Sequence, residues 1–123
     1  MTAPKDRNLF ILKRYNKNSM EDINIDMMQL GGNIQLIGFK ELDPAKLIVV
    51  KKVVGNYVRK IEEKTHQFEK IAIHMKKIHN SEYEIQTKTI VDGKPYNSEL
   101  TDYNLFVALD KTLSKVLEEI THL

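Results

Sequence analysis

The residues able to do chemistry are few and scattered. His66, His74, His79 and His122 are the only imidazoles, and imidazole is the group that most often binds a metal or moves a proton near neutral pH. None stands four residues from another on a helix, so the imidazoles do not pair into a metal site or a catalytic base. His74, on a strand beside lysines, reads as a surface residue. Glu62-Glu63 and Glu118-Glu119 could supply an acid and a base, but adjacent helical residues point about 100° apart and do not converge. They read as solvated helix faces. The absence of cysteine removes thiol nucleophiles, disulfides and Cys-based zinc sites together.

Phosphate-binding loops are also missing. The stretch "LGGN" lacks the spacing of the dinucleotide and P-loop fingerprints, and there is no Gly-x-x-Gly clamp of the KH type. Asn97-Ser98-Glu99 is not the glycosylation triplet. The sequence therefore assigns no catalytic residue, no metal and no cofactor, and reads as a non-enzyme.

Charge is the more informative signal. Nineteen Lys and Arg against seventeen Asp and Glu leave the chain at only +2, which excludes a nucleic-acid binder recognised by bulk charge alone. The segment from Lys40 to Lys77 is different, with ten Lys and Arg against five acids. Lys52, Arg59 and Lys60 share the outward half of one expected helix. Lys111 and Lys115 stack at i,i+4 on another. If both helices cover one sheet face, these side chains line a surface suited to a phosphate backbone; otherwise they are the lysines any exposed helix carries. Ile48 and Val49 lie off the apolar stripe of the first helix and either contact a partner or the N-terminal segment or are covered by a neighbouring strand.

The elements that must position these groups follow from periodicity. At 123 residues the chain holds one core and one domain. Residues 1–32 read as an N-terminal extension, either disordered or containing two short strands, "NLFILKRY" and "EDINIDMMQL", closed by Gly31-Gly32. The domain occupies 33–123. "NIQLIGFKEL" opens it as a strand. Asp43 and Pro44 then start a helix over 44–64, with Asp43 as the capping residue and Leu47, Val50, Val54, Tyr57, Val58 and Ile61 on its buried stripe.

Alternation predicts strands in "FEKIAIHMKKIH" and "EYEIQTKTIV", a hairpin turn at Asp92-Gly93 and a further strand in "KPYNSEL". A last helix spans 105–120, with Leu105, Leu109, Leu113, Val116 and Ile120 as its stripe. The order β-α-β-β-β-α describes an α+β two-layer sandwich, both helices on one face of a four-stranded sheet. The longest apolar runs, "LFIL" and "LIVV", fall far short of the roughly 18 residues of a spanning helix, and no cleavage pattern follows the first. A cytoplasmic protein is the expectation.

The strand-to-helix stretch "GNIQLIGFKELDPAKL", the long helix, the three strands and "NLFVALDKTLSKV" together resemble the ribosome hibernation-promoting factor and ribosome-associated inhibitor A family, over about residues 33–120. The last helix resembles its Asp-Met-Tyr-Ala-Ala-Ile-Asp run followed by Asp-Lys-Leu: here Asn104 to Asp110 stand for the run and Ser114-Lys115-Val116 for the triplet. The likeness is to short forms, archaeal ones among them, without a C-terminal dimerisation domain. It implies a double-stranded-RNA-binding-domain-like fold that binds the small ribosomal subunit through ribosomal RNA and excludes mRNA and tRNA, a hibernation or stress-response role. The contacts it implies are Lys52, Arg59, Lys60, Lys111 and Lys115, then Lys76, Lys77 and His79 near the strand loop.

Three features depart from the family pattern: Glu118-Glu119 at the end of the last helix, Asn104 in place of Asp, and residues 1–32, which have no counterpart. The rival reading is a protein-interaction or self-association module of the same fold, a homodimer formed through Ile48, Val49 and the extension.

Overall fold

Glycine and asparagine breaks, alternating apolar residues and two helical stripes divide the described residues into seven elements. In the computed structural model, which describes residues 26–79 and 81–122, these are β1 (Met27–Leu30), β2 (Ile34–Ile37), α1 (Pro44–Lys64), β3 (Phe68–Ile78), β4 (Glu82–Val91), β5 (Lys94–Asp102) and α2 (Leu105–Thr121). The strands form one sheet in the order β1-β2-β3-β4-β5. All pairs are antiparallel except β2 and β3, which run parallel with Ile34 opposite Ile71 and Leu36 opposite Ile73.

The sheet therefore has five strands where four are expected. Met27–Leu30 pairs with β2 through the Gly31 turn, Gly31 taking a φ of 64°. Its alternation matches the sheet: Met28 and Leu30 pack against the core, while Met27 is exposed. The boundary drawn at residue 32 thus falls inside a β-hairpin. The other expected strand, "NLFILKRY", lies outside the described residues. β5 also runs two residues beyond "KPYNSEL", to Asp102.

Both helices lie on one face of the sheet, because their stripes and the inner strand residues form a common core. Val50, Val54 and Val58 of α1 cluster with Leu105, Leu109 and Leu113 of α2 and with Leu36, Ile71, Ile73 and Ile85. A second group joins Ile61 to Val91, Val116 and Ile120. The early turns of the two helices meet in one group and the late turns in the other, so α1 and α2 lie side by side and run in the same direction.

The two helix starts differ. Asn104 caps α2, its side chain accepting from the amides of Phe106 at 2.9 Å and Val107 at 3.2 Å. Asp43 occupies the capping position of α1 but makes no side-chain cap bond; Pro44 at the first helical position carries the start signal instead, since it needs no amide partner. In the turn between β4 and β5, Asp92 and Gly93 take φ of 51° and 78°, the left-handed pair a two-residue hairpin turn requires.

Gly38 ends β2 with φ 89°, and a Cβ there would run into the carbonyl oxygen of Met75 on β3. Gly55 sits inside α1 with open space where a Cβ would be. Gly38→Ala should therefore lower stability by about 1–3 kcal/mol from backbone strain alone. Gly55→Ala should raise it by about 0.5–1 kcal/mol, because alanine loses less backbone entropy on forming a helix. Urea unfolding of the two variants against wild type measures both, and a neutral Gly38→Ala would contradict the close β2–β3 approach.

Candidate nucleic-acid interface

The outward face of the helix layer holds most of the expected contacts. Lys52, Arg59 and Lys60 are exposed on α1, and Lys111 and Lys115 are exposed on α2. The whole of α1 carries six Lys and Arg against two glutamates, whereas α2 carries two lysines against Asp110, Glu118 and Glu119. The positive charge of the layer belongs to α1.

One contact fixes how the two helices present these groups. The Tyr57 hydroxyl donates to Asp110 Oδ1 at 2.6 Å, across the seam between α1 and α2. Lys60 holds its ammonium 5.2 Å from the centre of the Tyr57 ring, a cation–π arrangement that keeps the charge near the seam. Arg59 is oriented by Asn56, its Nη2 donating to Asn56 Oδ1 at 2.8 Å. Asn56, Arg59, Lys60 and Glu63 line a shallow groove of about 250 Å³.

Because Asp110 faces α1, a rotation of about 100° per residue turns Lys111 outward and carries Lys115 to the far flank. Lys115 there shares a groove of about 410 Å³ with Lys88, Asn97 and Glu99 at the β4–β5 edge. The five helical cations accordingly form two rows that straddle the seam, Lys52, Arg59 and Lys60 on one side and Lys111 and Lys115 on the other. Asp110 stands between them. Glu118 and Glu119 are exposed on the last turn of α2, the end at which Ile120 packs with Ile61 of α1.

The three strand-loop candidates separate. Lys77 follows Ile71, Ile73 and Met75 on the helix-bearing face of β3; its ammonium lies 5.9 Å from the Tyr83 ring, and it lines a groove with Lys46, Glu41 and Asp43 at the start of α1. Lys76 points to the opposite, helix-free face, in register with Glu84. It is not brought together with the helical lysines. His79 is exposed in the β3–β4 turn with φ 21°.

The helix-free face is mixed in charge. His74 lies half-buried there in register with Gln86, and Lys88 is paired with Ala72 and Asn97. Glu99 shares a hydrogen bond with Glu84, which together with the neighbouring negative charge raises its carboxyl above the ordinary range. Among the described residues no three His, Asp or Glu side chains could hold a metal ion, and no helix is long and apolar enough to cross a membrane. Ile48 and Val49, off the core stripe, are 62% and 43% exposed.

Solved structures are similar to this arrangement. The N-terminal domain of protein Y from Thermus thermophilus matches with a TM-score of 0.55 and 14% identity, over 77% of this chain and 98% of that one. This chain shares its fold. A ribosomal subunit interface protein from Coxiella burnetii matches with a TM-score of 0.55 and 14% identity, over 74% of this chain and 96% of its own. At this identity the likeness is one of fold. No protein-family model matches the sequence, and no curated protein does.

Sequence reading missed the Tyr57–Asp110 bond, because Tyr57 sits on the apolar stripe and counts there as core. The one signal for it is that a buried phenol needs a partner for its hydroxyl. Burial first, then the hydrogen bond and charge of Asp110, raise the Tyr57 pKa from 10.0 to about 12. The folded chain thus keeps a proton that the unfolded chain releases near 10, so this contribution to stability is complete below pH 10 and is lost as pH rises toward 12. Absorbance titration should show one phenol ionising near pH 12, absent in Tyr57→Phe and shifted downward in Asp110→Asn. Titration of every tyrosine near pH 10 would contradict the bond.

Proposed function

We propose that this protein is a non-enzymatic ribosome-binding factor that silences idle ribosomes, binding ribosomal RNA of the small subunit through the outer face of its helix layer and excluding mRNA and tRNA sterically. The observation that carries this reading is the cationic crest of α1, six basic residues against two acids on a helix that the sheet and α2 hold rigidly, on a fold shared with a ribosomal subunit interface protein. Phosphates are the natural partners of such a row, since each neutralised phosphate releases condensed counterions. Lys52, Arg59 and Lys60 form the principal contact, and Lys111 and Lys115 form the second row. Lys77 and His79 extend it at one end of the domain. Lys76, on the other face, contributes least. The function places the protein in the cytoplasm and asks for no cofactor, since a steric block needs only affinity and bulk.

The rival reading, a self-association module, draws on the exposure of Ile48 and Val49. The two readings separate on charge. Lys52→Glu with Arg59→Glu should lower cosedimentation with small subunits by about tenfold or more, and should flatten the dependence of log affinity on log salt by about one for each phosphate no longer neutralised. Self-association through aliphatic side chains should stay unchanged in the same variant. Subunit binding that ignores both the substitutions and the salt concentration would contradict the proposal.

A further inference from the structure

Ile48 and Val49 do not serve a phosphate contact. They are exposed on the first two turns of α1, with Lys52 between them on the helix surface by its rotation of about 100° per residue. RNA offers phosphates, 2′-hydroxyls and base faces, which cations, hydrogen-bonding groups and aromatic rings recognise. An aliphatic β-branched side chain gains from none of these. It gains only when carbon surface leaves water against other carbon surface, which a folded protein supplies.

The surroundings of the pair define the partner's charge. Lys51 and Lys52 flank it, and no acidic residue occurs in α1 before Glu62. Lys46 lies in the first turn, which holds no acid, although the positive end of the helix dipole favours one there. It shares its groove with Glu41 and Asp43, so the rim is carried mainly by Lys51 and Lys52. Two alternative occupants fit less well. A second copy meeting this one about a two-fold axis would set Lys51 and Lys52 against themselves. The chain's own residues 1–25 carry five Lys and Arg against three acids, and like charge would oppose their docking.

We infer that the first two turns of α1 are a protein-binding surface, with Ile48 and Val49 as the apolar centre and Lys51 and Lys52 as the rim, fitted to a protein with an apolar spot bordered by carboxylates. This rests on the ribosome-binding reading and places a ribosomal-protein contact beside the RNA contact, so that α1 reads a junction between RNA and protein.

The test compares wild type, Ile48→Ser/Val49→Ser and Lys52→Glu/Arg59→Glu on intact small subunits and on protein-free small-subunit RNA, at one salt concentration. Both variants change exposed residues, and matching circular dichroism and unfolding midpoints would verify their folds. The serine variant should bind intact subunits at least about tenfold more weakly and bind free RNA as wild type does; the glutamate variant should lose affinity for both. Unchanged binding of the serine variant to subunits overturns this inference alone, as does an equal loss on subunits and RNA. A wild-type dimer that the serine variant abolishes overturns it in favour of a second copy. Wild type that binds neither target overturns the ribosome reading, and this inference with it.

Discussion

The parallel pairing of β2 with β3 is the constraint from which the rest follows. Two neighbouring strands that run the same way cannot be joined by a tight turn; the chain must return across the sheet to begin again at the same end. Here the 21 residues of α1 make that return. Its apolar stripe lies on the sheet, and its polar half has nowhere to go but outward. The antiparallel run β3-β4-β5 then delivers the chain to α2, whose stripe fills the remaining half of the same face. One sheet face is buried under two helices, whose polar sides turn away from it.

Electrostatics divides that surface unevenly. α1 is strongly cationic, whereas α2 is slightly acidic and carries at its end the glutamates that depart from the family pattern. The Tyr57–Asp110 bond ties the two helices at the seam and places Lys60 beside it. The opposite sheet face mixes lysines with Glu84 and Glu99, and has no comparable row of one sign.

Much of this was legible in the residues. The stripes of both helices, the Asp92-Gly93 turn and the alternation of β3 and β4 are local patterns, and the structure reproduces them. What was not legible depends on contacts between distant segments. For "EDINIDMMQL" the residues leave strand and disorder both open, and pairing with β2 makes a strand of Met27–Leu30. Alternation along β3 already sends Lys76 and Lys77 to opposite faces, although the resemblance groups them as contacts together. The i,i+4 spacing of Lys111 and Lys115 unites them without saying which flank of α2 meets α1. That was decided by Tyr57 and Asp110, 53 residues apart.

The central claim is that the outer crest of α1, and not the helix-free face of the sheet, meets ribosomal RNA. A photoreactive side chain placed at Arg59 or at Glu84, with small subunits added and crosslinks mapped, tests this directly. Crosslinks to ribosomal RNA are expected from the position of Arg59 and none from that of Glu84, which lies on the helix-free face in register with Lys76. Crosslinks to RNA from the position of Glu84 with none from that of Arg59 would contradict the claim.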